Sequence, residues 1–374
     1  MTTLYRKYRP ASFSEVVGQE HVVQTLEGAL ITGRIGHAYL FCGPRGTGKT
    51  TVARILAKAL NCVNFSTKST KGTFAKVPFV EPCNKCDACL AVTNNTSLDL
   101  IEIDAASQTG VDNIRELNDS VRVAAPGGKY KVFLIDEVHM LSKSAFNALL
   151  KTLEEPPTHV VFILATTEPH RILPTVLSRV QRFDFRRFSN IQIVKKLNNI
   201  IKSEDIKIDD DGLTAIAVSA DGALRDAEVA LSKVIATCDR RKEISVDEIY
   251  SVLGLVPFNY YPEFVSLLAS KDRDGALGFV NNIYLNGINL EQFTAGLVGY
   301  FRKILIHTIN PAVLASVGEE LLDNDVKLVA SYSQVLNQEQ LIRMLNIFVS
   351  AKEGIKSSPI PQLPLELAVL ELID

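Results

Sequence analysis

The chain has 374 residues, enough for two or three domains and a large core. Its 47% hydrophobic and 22% charged residues are ordinary for a soluble globular protein, and no apolar stretch approaches the roughly 20 residues that a membrane helix needs. A formal net charge of −2 excludes attraction to nucleic acid by the overall field, so any such contact needs a local basic surface. The start, Met1-Thr2-Thr3-Leu4-Tyr5-Arg6-Lys7, lacks the apolar core of a signal peptide, which predicts a cytoplasmic protein. Six cysteines in a reducing compartment point to metal ligation or burial before disulfides.

The first stretch, Tyr5 to Phe13, is basic and aromatic, and Pro10 keeps it extended. With Tyr8, Arg9, Pro10 and Val17 it offers a surface for an adenine ring, or else it packs on the core. A helix carrying Val22, Val23, Leu26 and Leu30 follows, then an apolar strand over Ala38–Cys42. Gly43-Pro44-Arg45-Gly46-Thr47-Gly48-Lys49-Thr50 comes next and fits the phosphate-loop pattern G-x-x-x-x-G-K-[ST] at every fixed position. Val52, Ile55, Leu56 and Leu60 then recur at helical spacing. Strand, glycine loop and helix together aim backbone N–H groups and a positive helix end at phosphates. Lys49 reaches the β- and γ-phosphates, the Thr50 hydroxyl ligands Mg²⁺, and Thr51 completes the phosphate-binding turn. The expected ligand is a nucleoside triphosphate.

Cys62 ends that helix, and Cys83, Cys86 and Cys89 follow as C-x2-C-x2-C. Four thiolates suit tetrahedral zinc, and the tight spacing lets one turn supply three of them. Residues 64–82 read as an exposed Lys/Thr/Ser loop. With every position taken by protein sulfur, the zinc is expected to be structural.

A second strand covers Asp99–Ile103. The next helix opens near Ser107-Gln108-Thr109-Gly110, with Arg115 one turn on, and breaks at Pro126. Its start either meets DNA phosphates or is an ordinary cap. The third strand, Lys131–Ile135, runs into Asp136-Glu137. Adjacent acids at a strand end beside a phosphate loop form the second half of a nucleotide hydrolase site. Asp136 holds the Mg²⁺ shell and Glu137 polarises the attacking water as general base. Ser142 caps a further helix, and the strand Val160–Ala165 delivers Thr166 and Thr167. A hydroxyl there either orders the lytic water or bonds its own turn. Val180–Phe185 is a fifth strand.

Five apolar strands between helices, with ligands at strand C-terminal ends, predict an α/β core with a mainly parallel sheet over residues 1–185. The chain then turns wholly helical, with a small all-α domain at 186–254 and a second at 255–374. Leu255-Val256-Pro257 reads as a linker. Leu297, Phe301, Ile304 and Leu305 form one helix face in the last region, which carries no acid or histidine cluster and reads as an assembly domain.

The ordered motifs now resemble one family. They are Arg6-Lys7-Tyr8-Arg9-Pro10, Val17-Gly18-Gln19-Glu20-His21, the phosphate loop, Asp136-Glu137-Val138-His139-Met140-Leu141 and Leu153-Glu154-Glu155-Pro156-Pro157. Ala165-Thr166-Thr167-Glu168-Pro169, Ser178-Arg179 and Gly222-Ala223-Leu224-Arg225-Asp226-Ala227 complete the set. The chain is similar to the gamma/tau subunits of bacterial DNA polymerase III. That resemblance implies an AAA+ ATPase core with a zinc-binding insertion, a helical lid and a collar domain that forms a pentamer. It further implies delta and delta-prime subunits and further copies of this chain as partners, with the beta sliding clamp loaded onto primer-template DNA independently of sequence. It places the chain in a DNA polymerase holoenzyme although no polymerase site is read here, and it implies that a long C-terminal tail is lacking.

Carried onto this sequence, the resemblance makes Glu137 the catalytic base, Thr167 the polar sensor ahead of Thr166, and Arg225 a lid sensor of the γ-phosphate. Arg179 becomes an arginine finger acting in trans on ATP held by the next subunit, a task its planar fork suits. The cofactors are ATP, Mg²⁺ and structural Zn²⁺. Departures from the pattern are Val180 and Tyr8, where many relatives carry cysteine and some carry tryptophan, and a longer gap between Cys62 and Cys83. A competing class is an AAA+ DNA helicase or remodeller of the branch-migration type, which shares the phosphate loop and acidic strand but lacks the cysteine insertion.

Overall fold

A computed structural model describes residues 3–64, 66–69, 78–107, 110–239, 242–311, 313 and 323–373. Gln108 and Thr109, expected to open a helix towards phosphates, lie outside these residues. The chain divides into two compact units, one running to Phe188 and including Ala220–Val229, the other made of Ser189–Ser219 and the chain from Ala230 onward.

The first unit opens with a short helix α1 (Leu4–Lys7), then α2 (Glu20–Thr32), β1 (Ala38–Cys42) and α3 (Lys49–Asn61). Strands β2 (Ser66–Ser69) and β3 (Pro78–Glu81) pair antiparallel, so part of the stretch expected to be loop is a hairpin. Then come α4 (Asp87–Thr93), β4 (Leu100–Asp104), α5 (Val111–Val121), β5 (Lys131–Asp136), α6 (Lys143–Glu154), β6 (Val160–Thr166), α7 (Pro174–Leu177) and β7 (Gln181–Asp184). The main sheet has the order β4-β5-β6-β1-β7, and every pair in it is parallel. β1 and β6 are buried at each residue, as continuous apolar runs covered on both faces must be.

Alternation along the strands splits the core in two. Tyr39, Phe41, Leu134 and Ile163 face α2 and α3. Leu40, Phe133, Ile135 and Phe162 face α5, α6 and α7. Phe133 and Phe162 stack at 5.4 Å across β5 and β6. Register levels the strand ends: Cys42 pairs with Thr166 and with Asp184, and Asp104 with Asp136. The glycine loop, the acidic pair and the two threonines therefore emerge along one edge. Ser142 caps α6 by accepting from Ala145 N, as the sequence predicts. α5 ends at Val121, five residues before the proline expected to break it.

The second unit holds α8 (Asn190–Ser203), α9 (Asp210–Ser219), most of α10 (Leu224–Thr237) and α11 (Val246–Leu253). Capping boxes begin α8 at Ser189 and Gln192 and α11 at Ser245 and Glu248. Among the described residues, α12 (Tyr260–Ala269), α13 (Arg273–Leu285), α14 (Leu290–Ile309), α15 (Asp323–Val335), α16 (Gln338–Ser357) and α17 (Leu363–Ile373) follow. They share one core in which Phe264, Phe293, Phe301 and Phe348 are fully buried. Leu297 and Ile304 are buried there too, as their spacing predicts. Val256, expected in a linker, instead joins this core, because an apolar side chain next to α12 is more stable against that helix than in water. Among the described residues, no helix is long and apolar enough to cross a membrane.

Candidate active site

The phosphate loop leaves β1 at Gly43, whose φ is 148° and whose N–H donates to Thr166 O at 3.1 Å. A Cβ at Gly43 would lie 2.5 Å from Phe185 O, so only glycine fits between β1 and the chain leaving β7. Gly46, at φ 78°, is tight in the same way: its Cβ would meet Ala223 Cβ at 2.9 Å. The segment that starts α10 thus lies on the loop.

Lys49 is 6% exposed, and its Nζ donates to Gly43 O at 2.7 Å and Pro44 O at 2.8 Å. Burial pushes its pKa down, while Glu137 and Asp136 draw it back up. Thr47 Oγ1 donates to Pro44 O at 2.9 Å, which further fixes the turn. Among the loop's expected contact residues, Thr50 Oγ1 donates to Asp136 Oδ2 at 2.8 Å. A hydroxyl and a carboxylate held together are a hard-cation donor set of the kind that suits Mg²⁺.

Glu137 leaves β5 in the left-handed region at φ 47°, an uncommon conformation for a side chain of this type. Its N–H donates to Asp136 Oδ1 at 3.0 Å, which pins that carboxylate. Thr167 Oγ1 donates to Glu137 Oε2 at 3.2 Å. Thr166 is fully buried, and its Oγ1 accepts from Glu168 N and meets His139 Nδ1, both at 3.0 Å. The two threonines therefore differ in their contacts: Thr167 touches the acid, and Thr166 ties the turn. His139 is the larger surprise. Its ring is 6% exposed and lies 3.6 Å from Glu137 Oε2 on one side and 3.5 Å from Glu168 Oε1 on the other.

Arg179 Nη2 lies 2.8 Å from Glu154 Oε1, while Nη1 donates to Thr175 O at 2.6 Å and Ser178 Oγ at 3.0 Å. These partners lie outside the phosphate loop. The Arg225 guanidinium sits 4.9 Å over the Tyr5 ring. Tyr8, Arg9, Pro10 and Val17 are all half-buried. Burial pushes the Arg9 pKa down, with nearby Arg54 adding to it. Gln19, fully buried, fastens the stretch just after them: its amide nitrogen donates to Arg186 O at 2.7 Å and its Oε1 accepts from Arg186 N at 3.1 Å. Arg115 lies on the exposed side of α5.

The four cysteine Sγ atoms of Cys62, Cys83, Cys86 and Cys89 all lie within 4.8 Å of one another. Tetrahedral zinc with Zn–S bonds of about 2.3 Å spaces its sulfurs by roughly 3.8 Å, so these residues fit the ion. Backbone N–H groups of Lys85 and Cys86 point at Cys83 Sγ and lower its thiol pKa to about 6, favouring the thiolate that metals bind. Burial pushes Cys89 the other way. Cys42 is separate, buried in β1 with its thiol pushed up to about 11.

Sequence reasoning missed His139, Glu168 and Gln19 as parts of the site. His139 and Glu168 stand inside the quoted motifs, two residues beyond Glu137 and one beyond Thr167, and that proximity was the available signal. Gln19 also stands in a quoted motif, but its partner is a backbone 167 positions away, which no local pattern announces.

The parallel sheet, the glycine loop and the acidic strand end define a P-loop nucleotide-binding core of the AAA+ class. Three family models cover most of the chain: "DNA polymerase III, delta subunit" at residues 18–189, "DNA polymerase III clamp loader subunit, ATPase lid domain" at 192–240, and "DNA polymerase III subunits gamma and tau domain III" at 244–374. The DNA polymerase III subunit gamma of Buchnera aphidicola is 35% identical over 99% of this chain and 98% of its own length. The chain belongs to the DNA polymerase III gamma/tau family. It is 40% identical to the subunit tau of Bacillus subtilis over 99% of this chain, and 44% identical to the tau/gamma subunit of Haemophilus influenzae over the same share. It spans 62% and 51% of those two relatives. Among solved structures, the Thermotoga maritima RuvB Holliday junction branch migration motor aligns with 70% of this chain and 79% of its own at 19% identity and a TM-score of 0.47.

Proposed function

We propose that the chain is an ATP-hydrolysing motor subunit of the bacterial replicative clamp loader, working in the cytoplasm. It would assemble with delta and delta-prime subunits and further copies of itself, and act on the beta sliding clamp and primer-template DNA. The observation that carries the hydrolytic reading is the pairing of Thr50 with Asp136 and of Thr167 with Glu137 along one sheet edge. Lys49 and the loop N–H groups hold the phosphates. Thr50 and Asp136 hold Mg²⁺, which when bound neutralises charge on the phosphate oxygens. Glu137 takes a proton from the attacking water as its oxygen bonds to the γ-phosphorus and the bond to ADP breaks. Thr167 keeps the Glu137 carboxylate aimed, and His139 braces the same oxygen from the side.

Arg225 senses the γ-phosphate of its own subunit, and Arg179 completes the site of the neighbour. Tyr8, Arg9, Pro10 and Val17 line the nucleoside, while Gly43, Pro44, Arg45, Gly46, Thr47, Gly48 and Thr51 wrap the phosphates. The four cysteines hold a structural zinc. Residues 1–185 form the motor core, 186–254 the lid and 255–374 the collar.

The test is reconstitution with delta, delta-prime and clamp. Low ATP turnover by the chain alone, rising on addition of clamp with primed DNA, is the expected result. Turnover indifferent to clamp and primed DNA in the assembled complex would sink the reading, and movement along duplex DNA by the chain alone would favour a remodeller.

A further inference from the structure

The cysteine knuckle grips two separate elements of the nucleotide site. Towards the phosphate loop, Cys62 ends α3, the helix that begins at Lys49. Lys58 on the same helix, 5% exposed, donates to Asn84 Oδ1 at 3.1 Å, inside the turn between Cys83 and Cys86. A lysine buried that deeply stays only where its ammonium finds an acceptor. Towards the N-terminus, Glu81 stands two residues before Cys83 and is 8% exposed. Its carboxylate accepts from Ser14 N at 2.8 Å and Phe13 N at 3.1 Å. Those N–H groups begin a 3-10 turn over Phe13–Glu15, whose Ser12 cap supplies no side-chain bond, so Glu81 caps it from a distance of 67 positions along the chain. The Phe13 ring, 1% exposed, fixes the same turn in the core.

The turn sits between Pro10 and Val17. The knuckle is thus a strut with one foot on the phosphate-loop helix and the other on the segment assigned to the nucleoside.

We propose that Glu81 is a positioning residue for nucleotide binding, through which the closed cysteine knuckle holds residues 8–17 in place for the nucleoside part of ATP. The inference rests on the assignment of those residues to the nucleoside. Opening the knuckle releases the β3 end that carries Glu81, and affinity for the base and ribose falls, while the phosphate cradle, at the far end of α3 from Cys62, keeps its own hydrogen bonds. The insertion then acts on ligand choice as well as on stability.

The experiment measures dissociation constants of the full chain for ATP and for inorganic tripolyphosphate, with zinc bound and after chelation. Chelation is expected to weaken ATP about tenfold, equivalent to ~1.4 kcal/mol, and to leave tripolyphosphate unchanged. Glu81→Ala should reproduce that loss with zinc bound, Glu81→Gln should lose less because it keeps one acceptor, and chelation of Glu81→Ala should add nothing further. Additive losses, an unchanged ratio of ATP to tripolyphosphate affinity, or equal weakening of both ligands would overturn the proposal. Should Glu81→Ala not fold, the Glu81→Gln variant and the chelated wild-type chain carry the same comparison. Val17→Ala separates the two layers of the argument. If it leaves ATP affinity unchanged, the nucleoside assignment fails and the proposal with it. If it weakens ATP while Glu81→Ala does not, the assignment stands and the strut alone is refuted.

Discussion

Glu27 gives the sharpest stability test. It lies half-buried on α2, its Oε1 is enclosed with no hydrogen-bond partner, and its carboxyl is pushed from 4.5 up to about 7, first by burial and then by the charge of Glu81. The folded protein therefore holds this proton more tightly than the unfolded chain. The group is neutral in its effect on stability below pH 4.5, becomes destabilising as pH rises towards 7, and stays so above it. Full linkage gives a penalty of about 3.3 kcal/mol at pH 8 against about 0.8 kcal/mol at pH 5. The side chain still reaches water, so screening cuts the difference of roughly 2.5 kcal/mol to about 1 kcal/mol. Glu27→Gln removes the charge and keeps the shape. Thermal melts followed by circular dichroism should show the variant gaining about 2–4 °C more over wild type at pH 8 than at pH 5. An equal gain at both pH values, or a loss at pH 8, would refute the reasoning.

The remaining expectations concern the site. Glu137→Gln should keep ATP bound and cut turnover by about 10²–10⁴, measured by single-turnover hydrolysis; a variant with normal turnover removes Glu137 from the role of base. His139→Ala should slow hydrolysis with little change in ATP affinity, because it loosens Glu137 without touching the phosphate loop, and His139→Asn should recover part of the rate if one hydrogen bond to Thr166 suffices. Arg179→Ala, mixed with wild-type subunits in the assembled loader, should leave ATP binding in its own subunit intact and slow hydrolysis next door by about 10³. Loss of binding in its own subunit would count against action in trans. Cys86→Ser should abolish stoichiometric zinc by elemental analysis and lower the melting temperature, since metal binding is folding free energy.

Much of this was legible because the chemistry is local in sequence. Gly43 to Thr50 lie in one turn, Asp136 and Glu137 are adjacent, and three of the four cysteines share one knuckle. The apolar runs of β1, β5 and β6 announced a buried parallel sheet for the same reason: each strand carries its own signal. What remained hidden depends on distant backbone. Gln19 bonds Arg186, and Glu81 caps a turn at Phe13, pairings set by packing of the whole unit. That Thr167 Oγ1 reaches Glu137 while Thr166 Oγ1 meets Glu168 N and His139 is set where β6 ends, and the sequence order of two threonines does not show it. Val256 misled because a proline beside three apolar residues looks the same in a linker and at the edge of a helical core.

Lys49 closes the phosphate loop on itself. Its ammonium already satisfies two carbonyls, at Gly43 and Pro44, and is already withdrawn from water. An arriving phosphate does not recruit a solvated charge but competes with the loop's own oxygens for one held in place. Affinity is then a difference between two well-made sets of hydrogen bonds, smaller than either.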